Sequence, residues 1–177
     1  MRKSKKLKKS NTWKIKQHRD QFFKKSKSLG YRSRASFKLI ELNKKFKFIK
    51  KDTYLLDLGS CPGGWTQVAS KLISNGKILA IDKKLMEPIK NVKFLNCDIF
   101  DLNTKKNIET YFKGNLDVVI SDMAADTTGS KSLDSIRTNQ LCTEALNFSS
   151  KILKYNGVFV SKLFMGEDFI EVKNLAK

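Results

Sequence analysis

One stretch limits what this chain can fold into more than any other: Asp57-Leu58-Gly59-Ser60-Cys61-Pro62-Gly63-Gly64-Trp65. It follows the apolar run Tyr54-Leu55-Leu56 and precedes a helical pattern from Thr66 to Ile73. A strand, a glycine-rich turn and a helix therefore follow one another. Glycine has no Cβ, so such a turn lets a ligand approach the backbone closely. The first amides of the following helix point at that ligand. A nucleoside-type cofactor is the ligand class such a turn serves.

The spacing narrows the choice of cofactor. A dinucleotide site wants Gly-x-Gly-x-x-Gly, and Cys61 takes the place of its second glycine. A phosphate-gripping loop ends in Gly-Lys-Ser/Thr, whereas Gly64 is followed by Trp65-Thr66. An acid closing the strand and then Gly-x-x-x-Gly resembles the first motif of S-adenosylmethionine-dependent methyltransferases. On its own the stretch could be a plain loop between a strand and a helix, so the rest of the chain decides.

The sequence has 177 residues, the length of one domain, and 40% of them are hydrophobic. No apolar run approaches the roughly 20 residues needed to span a bilayer. The start is basic but lacks the apolar segment of a secretory signal. Cys61, Cys97 and Cys142 show no metal spacing. They read as buried small hydrophobes in a reducing compartment, so the cytoplasm is expected, with an organellar address left open. His18 is the single histidine, so neither histidine catalysis nor a metal site is expected. Charge is unevenly placed. Residues 1–51 hold 20 Lys/Arg against Asp20 and Glu41, whereas residues 52–177 hold 16 against 15. Such a concentration is the footprint of a polyanion partner. A membrane surface would want an amphipathic helix, and residues 1–11 lack an apolar face.

Residues 1–30 read as a basic arm, with a short amphipathic helix over Trp13–Lys25. A helix is expected over 34–47, with Phe37, Ile40 and Phe46 at helical spacing. Strands and helices then alternate. Strands are predicted over Thr53–Leu58, Lys77–Ile81, Val92–Cys97, Leu116–Ser121 and Gly157–Phe164. Helices are predicted over 64–74, 103–113, about Leu133–Leu153 and from near Asp168. Alternation of this kind implies right-handed crossovers and a mostly parallel sheet covered by helices on both faces. The predicted fold class is thus α/β and Rossmann-like, with residues 31–177 forming the domain. Ligands bind at the carboxyl ends of such strands. Asp57, Asp82, Asp98 and Asp122 all fall there, and Lys162 interrupts the fifth strand near its end. One such aspartate could be a turn former, as Asp101 and Asp117 are taken to be; four on one rim are harder to explain so.

Asp82 stands at the distance beyond the glycine turn where an acid accepts ribose hydroxyls. Asp98, one strand further over, is placed to accept from an adenine amine. Gly59, Gly63 and the Trp65 backbone would line the other end of the cofactor, while the Trp65 indole could equally belong to the core. Lys38, Asp122 and Lys162 form the remaining set. Methylating a hydroxyl is mainly a positioning problem, with help for a proton of very high pKa. A lysine acts as base when a nearby cation and burial depress its own pKa. Lys38 near Lys162 would supply that cation, with Asp122 orienting both.

Together, Tyr31-Arg32-Ser33-Arg34-Ala35-Ser36-Phe37-Lys38-Leu39, the Asp57–Trp65 turn, Ser121-Asp122-Met123-Ala124 and Ser161-Lys162-Leu163-Phe164 resemble the FtsJ family. These are ribose 2′-O-methyltransferases of large-subunit ribosomal RNA. The resemblance implies S-adenosylmethionine as donor and a uridine in large-subunit rRNA of an assembling particle as substrate. It implies Lys162 as proton acceptor with Lys38 and Asp122 as partners. It assigns cofactor contacts to Gly63, Trp65, Asp82, Asp98 and Asp122. Arg32, Arg34 and Lys38 would bring the RNA backbone to the site, and Tyr31 or Phe37 could stack on a base. A monomer away from membranes is expected. The family also has a catalytic glutamate on a C-terminal strand. Glu167 and Glu171 lie too close to Lys162 to replace it, so the sequence reads as lacking the last two strands. A tRNA or other structured RNA as substrate, and an RNA-binding assembly factor without catalysis, are the alternative readings. A nicotinamide oxidoreductase fits the glycine spacing poorly.

Overall fold

A computed structural model of the chain describes residues 21–176. Helix α1 (Gln21–Ser28) and helix α2 (Ala35–Phe46) lead into five strands, four of them followed by a helix. These are β1 (Tyr54–Leu58), α3 (Gly64–Leu72), β2 (Lys77–Asp82), β3 (Lys93–Asn96), α4 (Leu102–Phe112), β4 (Leu116–Ser121), α5 (Lys131–Ile152), β5 (Leu153–Ser161) and α6 (Phe169–Leu175). The strands form one sheet in the order β3-β2-β1-β4-β5, and every pairing is parallel. The expected α/β class is the observed one. The chain builds outward from β1 to β3, then returns to place β4 on the other side of β1. The direction of winding thus reverses between β1 and β4, and a crevice opens at their carboxyl ends.

Period-two geometry explains the two cores. Successive strand side chains point to opposite faces. Leu56, Leu58, Leu79, Ile81 and Val119 bury with Ile108, Phe112 and Phe148 of α4 and α5. Leu55, Ile78, Val118 and Ile120 bury on the other face with Leu39, Trp65, Val68 and Ala69 of α2 and α3. Both faces of the inner strands are dry, which is why their sequences are continuous apolar runs. Each fully buried leucine contributes about 2 kcal/mol of transfer free energy.

Three expectations need correction. The strand containing Val158 begins at Leu153, directly out of α5, and ends at Ser161. Leu153 pairs with Leu116, a register irregularity follows, and Val118 pairs with Val158. Asn156 at φ 61 precedes Gly157 inside that irregularity, so a turn-like sequence sits within the strand. Lys162 therefore lies one residue beyond the strand rather than inside it. The seam of α2 is Ser36 and Leu39, both 0% exposed, while Phe46 is 61% exposed. Phe46 ends the helix, with Lys47 left-handed at φ 53 behind it, so helical periodicity no longer aims it inward. The predicted Trp13–Lys25 helix falls largely outside the described residues; within them, α1 continues to Ser28. Its Phe22 ring lies 6.2 Å from that of Phe37. No helix among the described residues is long and apolar enough to cross a membrane.

Candidate active site

The rim of the sheet at its carboxyl edge gathers the acidic residues. Asp57 lies two residues after Leu55 on β1, so it points to the same face, the one covered by α3. There Thr66, in the first turn of α3, donates its hydroxyl to Asp57 Oδ2 at 2.5 Å. The carboxyl is 1% exposed, and Oδ1 has no hydrogen-bond donor. Burial is the main cause that lifts its pKa from 3.8 to about 7; the Thr66 hydroxyl opposes it, and the Asp122 and Asp82 charges add to it.

Asp82 closes β2 and braces the glycine-rich turn. Its Oδ2 accepts from the Cys61 amide at 2.8 Å and Oδ1 from the Lys84 amide at 2.7 Å. Each oxygen keeps a further lone pair. Asp98 follows β3. Its Oδ2 meets Lys83 Nζ at 2.9 Å, and Oδ1 accepts from the Phe100 amide at 3.0 Å. The hydrogen bond from Lys83 is the first cause that holds Asp98 below the usual carboxylate range. The pair is largely exposed, so it adds little stability.

Asp122 and Lys162 each lie one residue beyond adjacent parallel strands. Lys162 Nζ donates to the Asp122 backbone carbonyl at 2.8 Å and stands 2.9 Å from Asp122 Oδ1. The two side chains are 27% and 21% exposed. The Lys162 ammonium also lies 5.7 Å from the centre of the Phe164 ring. Beyond it, buried Asn139 of α5 secures the strand exit. Its Oδ1 accepts from the Phe164 amide at 2.8 Å, and its Nδ2 donates to the Phe164 carbonyl at 2.9 Å.

A cleft of about 360 Å³ opens along this rim, lined by Gly59, Cys61, Asp82, Asp98, Asp122 and Met123 among others. The structure thus brings Gly59, Asp82, Asp98 and Asp122 together, with Lys162 joined to them through Asp122. The other expected residues stand outside the lining. Trp65 is 5% exposed, and its indole donates to the Ala35 carbonyl at 2.9 Å; its ring belongs to the core. A Cβ on Gly63 would meet Met86, Arg32 and Ile89, so Gly63 faces the loop after β2. Arg32 donates to the carbonyls of Glu87 at 2.6 Å and Pro88 at 2.9 Å. Its two Nη atoms thus face protein carbonyls. Arg34 is exposed just ahead of α2. Lys38 is exposed on α2, and no described hydrogen bond or ion pair joins it to Asp122 or Lys162. Tyr31 packs edge-on against Phe37 at 5.8 Å, with Lys71 Nζ 4.2 Å from its ring centre.

Sequence reasoning missed Lys83, Lys84, Ile99, Phe100 and Met123 in the lining. Each follows within two residues of a strand-end aspartate, and that adjacency was the available signal. Asn139 had none, because its partner is 25 residues away. Among the described residues, no group of His, Cys, Asp or Glu is placed to hold a metal ion.

Comparison with known proteins bears directly on this arrangement. The FtsJ-like methyltransferase family matches residues 31–177. This chain belongs to the FtsJ-like methyltransferase family. It is 44% identical over 168 residues to the ribosomal RNA large subunit methyltransferase E of Pelagibacter ubique, covering 95% of this chain and 83% of that protein. It is 44% identical to the protein of the same name from Rickettsia akari, covering 95% and 77%. Among solved structures, a ribosomal RNA methyltransferase from Plasmodium falciparum superposes with a TM-score of 0.75 at 32% identity, covering 82% of this chain and 85% of that one. For this FtsJ-like protein the parallel sheet and its acidic rim are thus the framework of an RNA methyltransferase.

Proposed function

We propose that the protein transfers a methyl group from S-adenosylmethionine to the ribose 2′-oxygen of a uridine in large-subunit ribosomal RNA, within an assembling subunit. The observation that carries this reading is the Lys162–Asp122 pair, held at the edge of a cleft that Asp122 itself lines. One residue therefore touches both the cofactor space and the general base.

The cleft suits that cofactor. Its 360 Å³ falls within the roughly 300–1,000 Å³ of small-molecule sites. Four carboxylates, Asp82, Asp98, Asp122 and Asp126, line it against the ammonium groups of Lys83 and Lys84, and this acidic excess has the sign that complements a sulfonium and an ammonium group. Gly59 at φ 71 leaves out the Cβ that would run into Met123, so the turn stays low. Asp82 would hold the ribose hydroxyls through its remaining lone pairs, Asp98 the adenine amine, and the Gly63 and Trp65 backbone the methionine end. When bound, the cofactor supplies an electrophilic methyl group on positively charged sulfur.

The chain supplies position and a proton acceptor. Asp122 fixes Lys162 Nζ through two oxygens, so the amine cannot swing away from the cleft mouth. A ribose hydroxyl arriving there meets a group already oriented, which is the larger part of catalysis for such a displacement. Lys162, once it has released its ammonium proton, would accept the hydroxyl proton as the donor's methyl–sulfur bond breaks in step with the new oxygen–carbon bond, the sulfur keeping the electron pair as a neutral thioether. Exposed Lys38 and Arg34 meet RNA phosphates from α2 and its approach. The 20 Lys/Arg of residues 1–51 supply salt-dependent affinity that does not read sequence. The names of the relatives support ribosomal RNA as the target. We further propose a monomer in a reducing cytoplasm; the free thiols of Cys61, Cys97 and Cys142 support the compartment.

The test offers isolated large ribosomal subunits and bulk tRNA to the protein with labelled S-adenosylmethionine. Label is expected in large-subunit RNA, at a linkage that resists alkaline hydrolysis because its 2′-oxygen is blocked. Label confined to tRNA, or removed by alkali, would contradict the reading.

A further inference from the structure

Segment 30–36, which holds Arg32 and Arg34 expected from sequence on the RNA side, is joined to the start of α3 by four hydrogen bonds. The Arg32 amide donates to Gln67 Oε1 at 3.1 Å, and Gln67 Nε2 donates back to the Gly30 carbonyl at 2.8 Å. The Ser36 hydroxyl donates to the Gly64 carbonyl at 3.0 Å. The Trp65 indole donates to the Ala35 carbonyl. Gly64 permits this approach, since a Cβ there would run into Ser33. The Arg32 guanidinium completes the arrangement from the other direction. It donates to the carbonyls of Glu87 and Pro88 and lies 3.4 Å from that of Pro62. A Cβ on Gly63 would sit 2.9 Å from its Nη1 and 2.8 Å from Met86 Sδ.

We propose that Arg32 is a positioning residue of the cofactor cleft: it latches the loop of residues 83–91 onto the glycine-rich turn and makes no RNA contact. That loop has no secondary structure of its own, and its carbonyls at Glu87 and Pro88 have no strand to pair with. It nonetheless carries Lys83 and Lys84, which line the cleft. Its start is held by the Lys84 amide on Asp82 and the Lys83–Asp98 ion pair, and its middle by buried Met86 and by Cys61 Sγ, 3.5 Å from the Leu85 carbonyl. A planar guanidinium spans two successive carbonyls with separate donors; a lysine ammonium presents one point. The segment that reaches toward RNA and the turn that holds the cofactor are therefore one bonded unit, with Arg32 as its outer clamp. This inference rests on the cofactor reading above for its consequence, but not for the latch itself.

The test uses Arg32→Ala and Arg32→Lys with three readouts. These are amide hydrogen exchange of residues 83–91 without ligand, calorimetric affinity for S-adenosylmethionine, and affinity for a short RNA hairpin against salt. Faster exchange confined to residues 83–91 and at least about tenfold weaker cofactor binding are expected in the alanine variant. RNA affinity and its salt slope should stay at the wild-type level. Lysine should fail to restore either of the first two. Exchange elsewhere in the sheet reports whether each variant is folded; were the alanine variant unfolded, the lysine variant would carry the test. Unchanged exchange of the loop, or a fall of about one in the salt slope restored by lysine, would overturn the proposal and return Arg32 to the RNA. Absence of cofactor binding in the wild type would instead sink the proposed function, while the exchange readout would still decide the latch.

Discussion

Replacing Asp57 with asparagine should remove a stability term that depends on pH. Asp57 is 1% exposed and holds its proton up to about pH 7 instead of the ordinary 3.8, chiefly because burial penalises the anion. The sign follows from linkage. Below about pH 4 the carboxyl is protonated in both folded and unfolded chains, and its full contribution is present. Between about pH 4 and pH 7 the unfolded chain releases the proton and the folded chain keeps it. Stability from this group is then lost as pH rises, by about 1.4 kcal/mol per pH unit. Across this window of roughly 3 pH units the loss totals about 4 kcal/mol. Asparagine keeps an acceptor for the Thr66 hydroxyl but never ionises. It places an amide where Oδ1 has no partner, at a cost of about 1–3 kcal/mol. The variant should therefore gain on the wild type by about 1–3 kcal/mol near pH 8 and fall below it near pH 4. Urea unfolding of both proteins from pH 4 to pH 8 measures this, and the difference between the two curves removes the groups that do not couple to Asp57. Parallel curves, or a wild type that gains on the variant as pH rises, would refute the reasoning.

Further outcomes follow from the same geometry. Gly59→Ala puts a side chain at φ 71 and against Met123, so a loss of about 1–3 kcal/mol in thermal unfolding and weaker cofactor binding are expected; equal affinity would mean the turn is not the floor of the cleft. Trp65→Phe should cost about 1 kcal/mol through the lost bond to the Ala35 carbonyl and leave cofactor affinity unchanged in calorimetry; a loss of affinity beyond the stability change would put the indole in the site. Asp82→Asn should weaken cofactor binding by about tenfold or more, and a variant that binds as tightly as the wild type would remove Asp82 from the ribose.

Much of the site was legible because strand ends are legible. The first four strands each carry an aspartate at or just beyond their carboxyl end, and parallel pairing puts those ends on one rim. Asp82, Asp98 and Asp122 were read that way and share the cleft. Lys162 announced itself as a charge in an apolar strand, although the strand stops one residue earlier. What stayed hidden depends on direction in space. Helical spacing puts Lys38 on an exposed face of α2 but does not name the groups its ammonium reaches. An arginine among lysines reads as an RNA contact until the Glu87 and Pro88 carbonyls appear beside it. The start of β5 was obscured because Asn156-Gly157 is turn chemistry, here used inside a register irregularity.

Single-turnover methyl transfer by the wild type and by Lys162→Ala, each with cofactor affinity measured on the same preparation, tests the central claim most directly. Lys162→Ala should bind S-adenosylmethionine within a few-fold of the wild type and transfer methyl to the large subunit at least about a hundredfold more slowly. Transfer at the wild-type rate by the alanine variant would contradict it.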